Sequence, residues 1–214
     1  MNKSEDIPAP AVRRLSLYLR QLEVFHALGK RTVSSRQLGE TLQLSDAQVR
    51  KDLAYFGNFG RRGIGYRVPE LIQRVRQILG TDKLAQVIVV GAGNLGRALI
   101  AFRGFARHGF EVAAAYDTDA SKIGHVVPHS DGIVIQPMKN LSSAIRSHSI
   151  RLGILAVPAA NAQEAADAMV AAGIRGILNF AAVRLRVDAR VAVSSVDIGV
   201  HLEQLSFQLG SGNA

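Results

Sequence analysis

With 214 residues, 48% of them hydrophobic, the chain is long enough for one sizeable core or two small ones. It contains no cysteine, which excludes disulfides, thiolate metal ligation and thiol redox chemistry, so any redox response has to come from a bound ligand. The net charge of +9 is uneven: residues 1–80 carry 14 Lys/Arg against 7 Asp/Glu, the remainder 12 against 10. A clustered basic excess points to a phosphate-contacting surface, because neutralising phosphates releases condensed counterions. No apolar run approaches the ~18 residues that span a bilayer, and the opening MNKSEDIPAPAVRR has no apolar stretch of the kind a signal peptide carries. These features predict a cytoplasmic protein with no membrane partner.

Residues 8–29 read as a helix opened by Pro8 or Pro10, with Val12, Leu15, Leu19, Leu22 and Leu28 as its apolar stripe and Gly29 after its end. Ser34-Ser35 precede a short helical run through Leu42, and Ser45 is the expected N-cap of a helix from Ala47 to Phe56. The glycine-rich stretch 56–68, with aromatic and β-branched flanks, suits a short hairpin, and Pro69 opens a helix that Gly80 stops. Three helices, a hairpin and a helix make a winged helix-turn-helix, assigned to residues 1–80. From residue 81 to 196, strand candidates at 86–90, 111–116, 152–156, 176–179 and 191–194 alternate with helical or loop segments, which predicts a parallel sheet with helices on both faces. Residues 198–209 form a final amphipathic helix within a segment 197–214, whose polar ending GSGNA is expected to be disordered.

The stretch VIVVGAGNLGRAL places Gly91, Gly93 and Gly96 directly after an apolar strand and at the start of an apolar helix. In that context Gly91 permits the tight turn, Gly93 lets the backbone approach a pyrophosphate, and Gly96 lets helix pack on strand; Asn94 and Leu95 sit between them in the first helical turn. The second strand ends at Asp117, where a carboxylate accepts hydrogen bonds from an adenine ribose and repels a 2′-phosphate. The second domain is therefore read as a Rossmann-like doubly wound sheet that holds NAD(H) in preference to NADP(H), with Lys122 as a nearby counter-indication. Val157-Pro158 and Asn179-Phe180 follow two further strands and are candidates for the nicotinamide side, since ligands of open α/β sheets bind beyond the carboxyl ends of strands.

In residues 34–57 two helices are joined by a short turn, and the second presents Gln48, Arg50 and Lys51. Arg pairs with guanine O6 and N7, Gln with adenine, and Lys with guanine or phosphate, so this helix is read as entering a DNA major groove. Arg61-Arg62 at the hairpin tip suit phosphates or a narrow minor groove, and Ser34 and Ser35 at the preceding helix start count among the DNA-binding candidates. Tyr55, Phe56 and Phe59 are read as core between helix and wing. The six histidines form no metal-ligand grouping, and there is no nucleophile elbow or Walker A sequence. A second fold to hold and protonate a substrate is missing, which speaks against catalysis. The rival readings are a small NAD-dependent oxidoreductase and a constitutive DNA-binding protein whose glycine turn is only structural.

With both motifs assembled, the chain resembles the bacterial Rex family of redox-sensing transcriptional repressors from about residue 8 to 209. The resemblance is carried by Val33-Ser34-Ser35, Val49 to Leu53, the wing from Gly57 to Val68, Gly91 to Gly96 with Asp117, Asn179-Phe180-Ala181, Val196-Asp197-Ile198 and Leu205-Ser206-Phe207. It implies a homodimer in which the terminal helix, with Asp197 and Phe207, is exchanged between subunits and lies between the partner's two domains. It implies that NAD+ permits operator binding and NADH releases it. Each recognition helix of a two-fold dimer reads one half-site, so the expected operator is an inverted repeat. One departure is Phe102, where many members carry Tyr in the helix after the glycine motif. Without that hydroxyl the switch is expected to rest on Asp197 and an arginine such as Arg13, Arg14 or Arg20.

Overall fold

Pro8, in extended conformation, caps α1 (Ala9–Ala27), and Pro10 occupies its first turn, where the missing N–H removes no helical hydrogen bond. The structure is a computed structural model and describes residues 7–61 and 64–211. The chain divides into two compact units between Lys83 and Leu84.

In the first unit the buried stripe of α1 is Ala11, Leu15, Tyr18, Leu22 and Phe25. This corrects the sequence reading, which includes Val12 and Leu28; both are exposed, and the alternating four- and three-residue spacing that α1 buries takes in the aromatic Tyr18 and Phe25. α2 (Ser35–Leu42) starts at Ser34 with a full capping box to Gln37, and α3 (Asp46–Phe56) starts at Ser45, whose hydroxyl accepts from the Gln48 N–H. The wing has three strands: β1 (Thr32–Val33), absent from the sequence reading, pairs antiparallel with β3 (Gly65–Arg67), and β3 pairs with β2 (Gly60–Arg61). α4 (Val68–Leu79) ends at Gly80 in the left-handed conformation. Leu15, Leu22, Leu38, Val49, Leu53, Leu71 and Val75 close one core among the four helices.

The second unit is a parallel six-stranded sheet: β4 (Ala85–Val90), β5 (Phe110–Asp117), β6 (Ile135–Pro137), β7 (Leu152–Leu155), β8 (Gly176–Asn179) and β9 (Ala192–Ser195), ordered β6-β5-β4-β7-β8-β9. The strand order reverses between β4 and β7, the topological switch point at which such sheets open a crevice. α7 (Leu141–His148) and α8 (Ala162–Ala172) bury Leu141, Ile145, Ala166 and Met169 against Ile88, Val90, Tyr116 and Leu155. On the opposite face, α5 (Asn94–Ile100) and α6 (Gly104–Arg107) pack near Val87, Val89 and Ala115. Beyond them this face carries an apolar groove of about 370 Å³ lined by Val112, Leu152, Ile154, Leu178 and Val193. Within the described residues of one chain, the second face of the sheet is therefore only partly covered by helices. α9 (Ile198–Ser211) follows β9 and exposes Leu202, Leu205, Phe207 and Leu209. It takes in Gly210 and Ser211, which the sequence reading assigns to a disordered tail; Gly212 to Ala214 lie outside the described residues.

Candidate functional site

The turn from β4 into α5 lies beside the strand-order reversal. Gly91 has φ +98°, and a Cβ there would meet the Ala156 carbonyl oxygen at 2.5 Å; one on Gly96 would overlap the Gly91 carbonyl oxygen. A Cβ on Gly93 would meet nothing within 4 Å. The outer two glycines are thus required by the fold itself, whereas Gly93 leaves open space at the start of α5, where a phosphate group can approach the free N–H groups of the first turn. Asn94 and Leu95 are exposed there. This geometry fits the dinucleotide that the spacing predicts.

Asp117 ends β5 nearly buried, at 8% exposure. Its Oδ2 accepts from the Ala92 N–H at 2.8 Å and from Lys122 Nζ at 3.3 Å, and its Oδ1 accepts from the Asp119 N–H at 2.9 Å. Burial pushes the Asp117 carboxyl up, but these donors outweigh it and hold it below the usual carboxylate range. Asp119 is bonded by the Ser121 hydroxyl and N–H and by Lys122, which lower its pKa to about 2. Gly91, Asp117 and Val157 line one small cavity of about 140 Å³ at the carboxyl ends of β4 and β5, together with Thr118, Met138 and Asn161. The last three escape the sequence reading; Met138 follows β6, whose three residues end in proline and give no strand signal.

Pro158 is exposed at the head of the loop after β7. Asn179 is fully buried; its amide donates to the Val183 carbonyl oxygen at 2.9 Å and to Ser195 Oγ at 3.3 Å, and its Oδ1 accepts from the Ala181 N–H at 3.0 Å. These bonds shape the loop after β8. Phe180 is half-buried against the β4–β7 side of the core.

In the first unit, Ser34, Ser35 and Arg50 line a cleft of about 460 Å³ between α2, α3 and the wing, with Asn58, Phe59 and Tyr66 on its other side. Ser34 is occupied by its capping box, while Ser35 Oγ accepts from Arg50 at 3.2 Å. Asp46 accepts from the same guanidinium at 2.6 Å, so Arg50 is held at the cleft mouth. Lys51 is exposed. Gln48 is half-buried, and its amide donates to Asp52 at 2.7 Å. Asp52 is fully buried and also accepts from Nε and Nη2 of Arg14 and from the Tyr18 hydroxyl, joining α1 to α3. Phe56 and Phe59 pack on the core as expected, whereas Tyr55 is 38% exposed. Arg62 lies outside the described residues, and Arg61 is placed only by its backbone in β2.

Asp197 caps α9, its Oδ1 accepting from the Gly199 N–H at 2.9 Å and the Val200 N–H at 3.2 Å. Of the three arginines considered for it, Arg14 is already paired with Asp52, while Arg13 and Arg20 are exposed. Phe102 lies past the end of α5, in the turn before α6, edge-on to Phe105 at 5.1 Å between ring centres, rather than within the helix. Among the described residues there is no group of three or more His, Asp or Glu that could hold a metal ion, and no helix is long and apolar enough to cross a membrane.

Two family models match: one described as a putative DNA-binding protein N-terminus over residues 6–54, and one described as a CoA binding domain over residues 82–183. A redox-sensing transcriptional repressor Rex of Carboxydothermus hydrogenoformans is 45% identical, the alignment spanning 97% of this chain and 98% of that one. Among solved structures, RSP in complex with β-NAD+ and operator DNA matches with a TM-score of 0.90 at 33% identity, over 96% of this chain and 94% of that one. RSP in complex with β-NADH matches with a TM-score of 0.84 at 32% identity, over 97% and 96% of the two chains. Near-complete coverage by a relative of this identity, with both motifs inside the aligned span, makes the chain a member of the Rex family of redox-sensing transcriptional repressors.

Proposed function

We propose that this protein is a cytoplasmic, homodimeric repressor that holds inverted-repeat operator DNA when apo or NAD+-bound and releases it on binding NADH, and that it catalyses no reaction. The observation that carries the reading is the presence, in one chain, of a cleft edged by Arg50 between recognition helix and wing and of a glycine turn ending against Asp117 at the strand-order reversal. The two RSP complexes, one with NAD+ and operator DNA and one with NADH, support joining these sites into a single switch.

In this reading Gly91 to Gly96 approach the pyrophosphate and Asp117 faces the adenine ribose. A dinucleotide suits that end better than coenzyme A, whose ribose 3′-phosphate would meet the Asp117 and Asp119 carboxylates. Val157, Pro158 and Phe180 lie toward the nicotinamide, where the oxidised ring carries a positive charge that is costly to bury and the reduced ring carries none. Arg50 reads bases, and Lys51, Arg61 and Arg62 contact phosphates. The exposed apolar residues of α9 have the character of a dimer interface rather than of a solvated helix, which supports its exchange between subunits. A gel-shift titration of NADH at fixed NAD+ tests the proposal: operator release is expected. Operator binding indifferent to NADH would favour the constitutive reading, and NADH consumption with a carbonyl substrate would favour an oxidoreductase.

A further inference from the structure

The carboxylate expected to decide between NAD(H) and NADP(H) is already heavily engaged within its own chain. Asp117 takes the Ala92 and Asp119 N–H groups and Lys122 Nζ, leaving one of its roughly four acceptor positions for a ribose hydroxyl. The Lys122 ammonium lies between two carboxylates, 3.3 Å from Asp117 Oδ2 and 3.1 Å from Asp119 Oδ2, and its side chain is still 28% exposed. A cation in that position would by itself attract a 2′-phosphate, since lysine makes strong charge-assisted hydrogen bonds to phosphate oxygens. What opposes this is the second carboxylate: two negative charges around one positive leave the trio net negative, whereas Asp117 and Lys122 alone would be neutral.

We propose that Asp119 is a specificity-determining residue, which keeps the site for a dinucleotide with a free 2′-hydroxyl by holding the Lys122 ammonium within a carboxylate pair. The inference rests on the NAD(H) reading above and goes beyond it by transferring part of the discrimination from Asp117 to Asp119 and Lys122. Asp119→Asn is the informative change, because the amide oxygen still accepts from the Ser121 hydroxyl and N–H, now at 2.6 and 2.9 Å, and so preserves the turn. Lys122→Met removes the charge and keeps the apolar stem.

The test is titration of the full chain with NADH and with NADPH, followed by calorimetry, for the wild type, Asp119→Asn, Lys122→Met and the double variant. Asp119→Asn is expected to raise NADPH affinity relative to NADH by about tenfold or more, the scale expected when Lys122 forms a charge-assisted hydrogen bond to the 2′-phosphate and one repulsion is removed. Lys122→Met should lower NADPH affinity further, and in the double variant it should cancel the increase. An unchanged ratio in Asp119→Asn, or an increase that survives loss of the lysine, overturns the proposal. Loss of both nucleotides together in Asp119→Asn also overturns it, since Asp119 would then serve only the turn. A wild type that binds NADH while the ratio stays fixed in the variant sinks this inference alone; a wild type that binds neither nucleotide sinks the functional reading beneath it.

Discussion

Asp52 sits fully buried between α1 and α3 and is hydrogen-bonded by Arg14, Tyr18 and Gln48. Burial pushes its carboxyl up, but the three partners outweigh that effect and hold it below the usual carboxylate range. Asp52→Ala is expected to cost about 2–3 kcal/mol, at or below the low end for a broken buried ion pair because Arg14 keeps partial access to water. The lowered folded pKa means that the Asp52 contribution is complete above about pH 5 and is lost as pH falls through the folded value, below the unfolded ~3.9. Urea midpoints of wild type and Asp52→Ala should therefore be well separated at pH 7 and draw together below about pH 4; a constant gap would mean that the ionised carboxylate is not what α1 and α3 share. The sequence shows the glycine turn and Asp117 because their spacing lies within one strand-turn-helix unit and is fixed by its geometry. It hides Asp52, whose Tyr18 and Arg14 partners lie on another helix 34 and 38 residues away. The only local clue is that Asp52 shares the buried face of α3 with Val49 and Leu53. The Gln48–Asp52 bond is hidden for the same reason: four residues away, Gln48 donates to a carboxylate that looks solvated in the sequence.

Helix ends are legible wherever a side chain or a glycine terminates the backbone: Ser34, Ser45 and Gly80 each do what their residue types predict. Strands β1 and β6 are not, because two or three residues carry no alternation and their pairing is decided by distant neighbours. For α3 and the wing, Arg50→Ala is expected to weaken operator binding by about 1–3 kcal/mol and to relax base choice at one position, whereas Arg62→Ala should weaken all sequences alike. Binding measured on an operator series with single base changes separates the two, and the opposite pattern would exchange reader and clamp. α9 calls for a different comparison. Asp197→Asn retains an acceptor for the Gly199 and Val200 N–H groups and removes the charge, while Asp197→Ala removes both. If Asp197 also pairs with Arg13 or Arg20 of a partner subunit, the Asn variant keeps its melting temperature and loses operator affinity. The Ala variant should lose about 1 kcal/mol of stability as well, the usual worth of an N-cap. Equal operator affinity in wild type and Asn variant would confine Asp197 to capping.

At the scale of the whole molecule, the two units are legible separately in the sequence, but the proposed coupling between them belongs to the proposed homodimer and has no local signature. A ligand shifts a two-state equilibrium only by its differential affinity for the two states, so NADH and NAD+, which share pyrophosphate and adenosine, must be distinguished at the nicotinamide end. In the proposed homodimer, a shift from about 1:99 to 99:1 in favour of the released state requires roughly 5.5 kcal/mol. Divided between two equivalent sites, this is about 2.7 kcal/mol each, or close to a hundredfold difference in NADH affinity between the DNA-bound and released forms. Linkage is reciprocal, so saturating operator duplex should weaken NADH binding by that same factor per site. The increase in NADH fluorescence on binding, titrated with and without the duplex at one salt concentration, measures it directly. Two superimposable curves would leave NADH a bound passenger with no hold on the operator, however tightly it binds, and the release of DNA would then need another cause.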